Sequence, residues 1–308
     1  MLQQSINRRT ALAYLAAGAT TTPLAMPAFA ATKFTVGNAS VTASSDGHFL
    51  MPSDFFLMPS DFFLGTPLRD QLGDPVQIAA NTYAYRRGGK TFLFDVGAGA
   101  GDFITQSFPT VSKLPEDLKM AGIDPEEVTA IVITHMHPDH IRSVAIGAKP
   151  AFPNATVHIA EADWNFWNAE GFAGSGPEGM RPMIASVQET SQAIKGNIAL
   201  HNGSADLGQG VTVLPAVGHT PGHTAILLDG GSQQLMITGD LTVHEDVHFQ
   251  NSDYGWALDV DGEQAVETRK RLLDTIATDR LIMAAAHVTR PGLGTVERLG
   301  IGFKISRL

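Results

Sequence analysis

Six consecutive residues constrain this chain more than any others: His135-Met136-His137-Pro138-Asp139-His140. The apolar, β-branched run Ala130–Thr134 precedes them and reads as a strand, so the six residues occupy a loop at a strand end. His135 and His137 are two apart. On a helix they would face different ways, whereas on an extended or turning segment both can aim at one metal ion. Pro138 bends the chain, which lets Asp139 and His140 face a neighbouring position. A catalytic metal takes about three protein ligands plus water, so each position needs further donors.

Three downstream segments supply them, each at the end of an apparent strand. His219 lies in Gly218-His219-Thr220-Pro221-Gly222-His223, after the strand 211–217. Asp240 follows the strand 234–238 in Thr238-Gly239-Asp240, and His287 follows the strand 280–285. A carboxylate can bridge two cations, and Asp240 is the candidate. The chain has no cysteine, so every metal ligand must be His, Asp or Glu. His48, His158, His201, His244 and His248 lie outside this pattern. His223 is expected to order its loop rather than bind metal.

The remainder reads as one α/β domain over 31–308, with no linker rich enough in Pro, Ser or charge to divide it. Strands are predicted at 34–44, 76–86, 90–96, 130–134, 156–159, 211–217, 223–228, 234–238 and 280–285. Helices are predicted at 114–121, 161–170, 180–195 and 262–277. Ser45-Asp46-Gly47 reads as a turn. A perfect seven-residue tandem repeat, Phe49–Phe55 and then 56–62, reads as a lengthened surface loop; an apolar lip at a substrate entrance is the alternative.

Residues 1–30 carry paired arginines, Arg8-Arg9, a modest apolar stretch and the small-x-small sequence Ala28-Phe29-Ala30. This is the layout of a cleaved twin-arginine signal peptide, implying a periplasmic or secreted protein. The apolar stretch is shorter than the ~20 residues a membrane span needs, so stable membrane insertion is not expected. The formal net charge of −10, more negative once the leader is removed, argues against a nucleic-acid partner.

The ordered set His-x-His-x-Asp-His, Gly-His-Thr-Pro-Gly-His, Gly-Asp and a late His resembles the metallo-β-lactamase superfamily over essentially the whole chain after residue 30. Phe94-Asp95-Val96-Gly97 resembles the Asp-x-Gly turn of that fold. Within the superfamily the chain looks most like the methyl parathion hydrolase and secreted lactonase branch. The resemblance implies an αββα sandwich with two divalent metal ions at one edge. His135, His137 and His219 would hold the first, Asp139, His140 and His287 the second, and Asp240 would bridge. Zinc is the default, and Mn, Fe or Co suit the same donors. The implied nucleophile is a hydroxide shared by the metals, with Asp139 and Asp240 as the catalytic carboxylates. Asp95 and Thr134 are candidates for orienting the ligands.

The resemblance also narrows the substrate to a small, neutral, apolar ester or lactone. Metallo-β-lactamases proper lack the bridging Asp, so Asp240 argues against antibiotic hydrolysis. An N-acyl-homoserine lactonase (quorum quenching) with arylesterase side activity is expected. An organophosphate triesterase is the alternative, and a non-catalytic periplasmic metal-binding protein is a remote one. Trp167, Phe103 and Phe108 are candidate pocket residues; Trp164 and Phe166 fit the core as well as a pocket. Two departures stand out: Val243 replaces the Tyr that many such lactonases carry three residues after the bridging Asp, and Arg142-Ser143 replaces a small pair such as Gly-Gly. Dimers are common in this branch, which makes a homodimer an expectation.

Overall fold

The computed structural model describes residues 31–53, 56–57, 72–101, 103–176 and 178–308. The expected signal peptide and most of the second repeat copy lie outside the described residues.

The chain opens with β1 (Thr32–Val36), β2 (Ala39–Met51), the short β3 (Phe56–Leu57), β4 (Val76–Arg87) and β5 (Lys90–Phe94). Helices α1 (Phe103–Ser107) and α2 (Leu114–Ala121) lead to β6 (Ala130–Val132) and the one-turn α3 (Pro138–Ile141). A small hairpin, β7 (Ala145–Ile146) and β8 (Lys149–Pro150), precedes β9 (Thr156–Ala160). Then come α4 (Glu161–Trp167), α5 (Phe172–Ser175), α6 (Arg181–Ile194), β10 (Ile198–His201) and β11 (Ala205–Gly208). The second half holds β12 (Val211–Pro215), β13 (Thr224–Asp229), β14 (Gln234–Ile237), β15 (Gly255–Trp256), α7 (Gly262–Asp279), β16 (Ile282–Ala284), β17 (Leu293–Leu299) and β18 (Gly302–Arg307).

Two seven-stranded sheets result, in the orders β1-β2-β4-β5-β6-β9-β10 and β11-β12-β13-β14-β16-β17-β18. Strand periodicity explains how they stack. In β5, Phe92 and Phe94 face the second sheet, while Leu93 faces the helices. In β14, Leu235 and Ile237 face the first sheet and Met236 faces α7; Ile282, Ala284 and Met283 of β16 divide the same way. Alternate residues therefore build one core between the sheets and one beneath each helical layer. Trp167, Ile184 and Val187 cover the first sheet, and Leu272, Leu273 and Ile276 of α7 cover the second. This is the expected αββα sandwich.

Helix α2 forms where expected, with a proline in its first turn and Gly122 closing it at φ 70°. The expected turn at 45–47 is instead a bulge inside β2, where the register to β4 shifts between Ser45 and Gly47. The turn-forming residues there serve tertiary contacts: the buried Asp46 carboxylate accepts from Ala98 N (2.8 Å) and Leu114 N (2.9 Å). The first repeat copy is not surface loop throughout, since β2 runs on to Met51 with Phe49 and Met51 buried. The second copy opens on Phe56–Leu57, which pairs with Gly255–Trp256. The strand expected at 34–44 is broken into β1 and β2 by a tight turn. Short amphipathic strands β10 and β11, and the C-terminal hairpin β17–β18, add to the expected elements.

Candidate metal centre

Sheet register brings the separate motifs to one edge. β5 and β6 run parallel with Phe94 opposite Val132, so the loops bearing Asp95 and Thr134–His140 leave the first sheet together. β14 and β16 run parallel with Ile237 opposite Ala284, so Asp240 and His287 leave the second sheet together. Because the sheets are stacked, all seven expected ligands converge in two groups. His135, His137, His219 and Asp240 offer donor atoms within 4.8 Å of one another, as do Asp139, His140 and His287.

Asp240 faces both groups. Its Oδ2 lies 3.2 Å from His219 Nε2 and 3.7 Å from His135 Nε2. Its Oδ1 lies 3.1 Å from both His140 Nε2 and His287 Nε2. Outer partners decide which ring nitrogens are bare. His287 Nδ1 donates to Ala79 O (2.7 Å), so its Nε2 carries a lone pair in the neutral ring. His219 Nδ1 pairs with Asp259 Oδ1 (2.8 Å) and His140 Nδ1 with Asp95 Oδ2 (2.8 Å), which fixes the same tautomer. His219 Nε2 thus points a lone pair at His137 Nδ1 (3.0 Å), which also meets His135 Nε2 at 2.9 Å. His140 Nε2 and Asp240 Oδ1 are buried without a hydrogen-bond partner. Lone pairs converging on shared points, with orphaned atoms among them, fit divalent cations bound by N and O donors.

The electrostatics agree. Burial would raise the Asp240 carboxyl, yet the charges of His287, His140 and His135 outweigh it and hold it well below the usual carboxylate value. Burial opposes charge on His219, but its hydrogen bonds and charge interactions with Asp240 and Asp259 push it up to about 9. Burial and the neighbouring His219 push His137 down to about 3. The carboxylates thus call for positive charge at the centre, while His137 is held as a neutral donor.

Four further groups set the loops. Asp95 accepts from Thr134 N and Thr134 Oγ1, both at 2.8 Å, besides holding His140. Asp163 is fully buried and accepts from Met136 N (2.7 Å) and Gly222 N (2.8 Å), tying the first histidine loop to the second. Gly222 is required there, because a Cβ would lie 2.4 Å from Asp163 N. His223 donates from Nδ1 to Ala216 O (2.9 Å) and accepts Asp240 N at Nε2 (3.2 Å), so it orders the loop and the carboxylate behind it. Asp259 also accepts Trp256 N (3.0 Å) and lies 3.8 Å from the buried guanidinium of Arg269.

Sequence reasoning missed Asp163, Asp259 and Arg269. It made Trp167 a candidate pocket residue, and the structure buries that side chain completely. Packed among Phe166, Phe172 and Ile184, its ring abuts His137 edge-on at 5.3 Å and backs that ligand. Phe108 is half-buried and packs edge-on against Phe49 (5.2 Å), which in turn faces His287 (6.2 Å). Phe49 therefore backs a ligand histidine, a contact that the repeat concealed. Phe103 opens α1, and its side chain lies outside the described residues. Arg142 lines a separate cavity that contains none of the seven ligands.

Comparison with known proteins follows the same lines. A Bacillus N-acyl homoserine lactonase is 24% identical over 177 residues, which is 55% of this chain and 60% of that relative's length. Among solved structures, the hydrolase AbOPH of the beta lactamase superfamily superposes with a TM-score of 0.82 at 25% identity, covering 92% of this chain and 99% of its own. AidC, a dizinc quorum-quenching lactonase bound to N-hexanoyl-L-homoserine as product, superposes with a TM-score of 0.81 at 26% identity, covering 91% of this chain and 97% of its own. Residues 76–287 match the Metallo-beta-lactamase superfamily profile. On that match, together with the sandwich and the convergent ligand loops, the chain belongs to the metallo-beta-lactamase superfamily.

Proposed function

We propose that this protein is a dinuclear metal-dependent hydrolase that opens lactones, N-acyl-homoserine lactones in particular. The observation that carries the reading is the position of Asp240, with one carboxylate oxygen facing each of two donor groups. His135, His137 and His219 would hold one cation and Asp139, His140 and His287 the other, with Asp240 shared. When bound, the cations supply Lewis acidity for the substrate oxygen and lower the pKa of water towards ~7. Zinc is the first candidate, given the dizinc neighbour.

The chain's own residues do the rest. Asp95, Asp259 and Ala79 O lock the ligand tautomers before substrate arrives, so little reorganisation is needed. Asp139 has the most open side chain of the four acids that touch the ligand histidines, at 17% exposure against 5% for Asp240, 4% for Asp95 and 2% for Asp259. Held as a carboxylate by the neighbouring His140, it can accept at Oδ2 the proton that the attacking water loses and return it to the leaving oxygen. Phe49 and Phe108 give an apolar wall beside His287 that suits an acyl or aryl group. Val243 is buried and offers no hydroxyl, so ring opening proceeds without a tyrosine at that place.

Pure protein reconstituted with zinc should bind two ions per chain and turn over N-hexanoyl-homoserine lactone and dihydrocoumarin. No turnover of any lactone, ester or phosphotriester with both ions bound would overturn the hydrolase reading. The aromatic pair Phe49–Phe108 also favours a second reading, phosphotriester hydrolysis with an aryl leaving group. A kcat/KM on methyl parathion above that on both lactones would select it. The twin-arginine leader supports export, which a secreted chain beginning at Ala31 would test.

A further inference from the structure

Outside the metal centre, a cavity of about 710 Å3 opens between α2 and the chain that follows α3. Its volume falls within the range of small-molecule sites, roughly 300 to 1,000 Å3. Its floor is apolar: Leu114, Leu118, Ile123, Ala145 and Phe152 belong to the core beneath the helices, yet they also line the opening. Hydrogen-bonded backbone fixes each wall. On one side, Gly122 closes α2 in the left-handed region, and Ile123 N donates back to Leu118 O (2.9 Å), which sets Ile123 against Leu118. On the other, β7 and β8 pair Ala145 with Pro150 and Ile146 with Lys149, and Ala151 N donates to Val144 O (2.8 Å). Strand alternation turns Ala145 into the core and leaves Ile146 on the rim, 77% exposed. Behind them, Gly99 N donates to Ser143 Oγ (2.9 Å) and Ser143 N to Gly97 O (3.1 Å). The cavity is therefore formed before any ligand arrives, which lowers the cost of filling it.

The charges in the wall are already committed or in water. Arg142 is buried and engaged within the protein, with Glu189 3.8 Å away, so what it gives the cavity is its aliphatic stem; that stem lies so close to Gly99 that a Cβ there would meet Arg142 Cγ at 2.8 Å. Asp124 Oδ1 accepts Glu126 N (2.9 Å), where it caps a short 3-10 turn. Lys119 and Asp124 are both exposed at the mouth, one of each sign, so their charges offset each other. Nothing in the wall would repay a charged ligand for the water it leaves behind, whereas an uncharged hydrocarbon loses no such hydration on reaching the apolar floor.

We propose that this cavity is a second ligand site, separate from the metal centre, that takes an uncharged, mostly hydrocarbon molecule seated on Leu114, Leu118, Ile123 and Phe152. The probe is 1-octanol, titrated calorimetrically into zinc-loaded full-length protein, with octanoate and octylammonium as charged controls of the same chain length. Octanol should bind at least tenfold more tightly than either control. Two variants locate it. Ala151→Trp, at a half-buried wall position, fills the cavity, and Ile146→Asp places a charge on its exposed rim without touching the core. Each should weaken octanol at least tenfold with two zinc ions retained. Absence of octanol binding would overturn the proposal. So would an affinity unchanged in Ile146→Asp and in Ala151→Trp, because that result places the alcohol elsewhere, the substrate wall included. Octanoate or octylammonium binding as tightly as octanol would overturn the choice of an uncharged ligand. None of these results bears on lactone turnover, so the fate of this site is separable from that of the hydrolase reading.

Discussion

Arg269 offers the sharpest test of how the centre is supported. Its guanidinium is 1% exposed and donates to Leu241 O (2.7 Å), Ser252 O (3.1 Å) and Tyr254 O, beside Asp259. Leu241 adjoins Asp240, and Asp259 holds His219, so one cation braces the backing of two ligands. In Arg269→Met the stem volume stays, but three buried carbonyls lose a charged donor and Asp259 loses its counter-charge. Hydrogen bonds to charged groups contribute about 1.5–3 kcal/mol each, and breaking one partner of a buried pair costs about 3–5 kcal/mol. These terms overlap, so the expected loss is about 4 kcal/mol, or a fall in Tm of roughly 8–16 °C for a chain of this size. Urea unfolding of the metal-loaded protein measures the loss, and a competing chelator measures zinc affinity, expected to fall about 10–100-fold as His219 loosens. Arg269→Lys should recover little, since an ammonium cannot reach all three carbonyls. A loss below about 1 kcal/mol with unchanged zinc affinity would refute the bracing argument.

Other changes should separate ligation, loop geometry and burial. Asp240→Ala should cut zinc below two ions per chain by elemental analysis and abolish hydrolysis; full metal content with full activity would sink the dinuclear reading. Gly222→Ala should drive a methyl into Asp163 N and uncouple the two histidine loops, read as lost metal and a stability loss on the order of 2–4 kcal/mol. Trp167→Ala should cost about 3–5 kcal/mol as an emptied core site, with weaker metal binding as His137 loses its backing; an effect on KM alone would restore Trp167 to the pocket wall. Asp46 supplies a pH test: burial, against opposing backbone hydrogen bonds, pushes its carboxyl from 3.8 up to about 6. The folded state then holds a proton that the unfolded state releases between those values, so this group's contribution to stability falls as pH rises from about 4 to about 6. Asp46→Asn should therefore be more damaging near pH 4.5 than near pH 7.5, by about 2 kcal/mol, and a penalty independent of pH would refute the shift.

What was legible in the sequence, and what was not, follows from the range over which each feature is encoded. The seven ligands sit in short motifs at strand ends, and no bland pattern groups those residue types in that order. The layers were legible only through the family resemblance, because Phe92-Leu93-Phe94 and Leu235-Met236-Ile237 are apolar throughout and only the folded sheets divide their alternate residues between two cores. Asp259 was not, because it reaches His219 across 40 residues of sequence and leaves no local trace. Asp163 was not either, because its carboxylate, in the first turn of α4, is spent on two backbone N–H groups distant in sequence. The burial of Trp167 was not legible either, because an aromatic on a helix reads alike whether it faces substrate or core. The repeat hid Phe49 for the opposite reason: its duplication suggested surface loop, while β2 carried its first copy to His287. Its second copy pairs with β15, whose Trp256 N–H is held by Asp259. The backbone of the repeat and the carboxylate that orients His219 are thus joined through one short strand pair. Changes in the repeat should therefore register at the His219 side of the centre as well as beside His287.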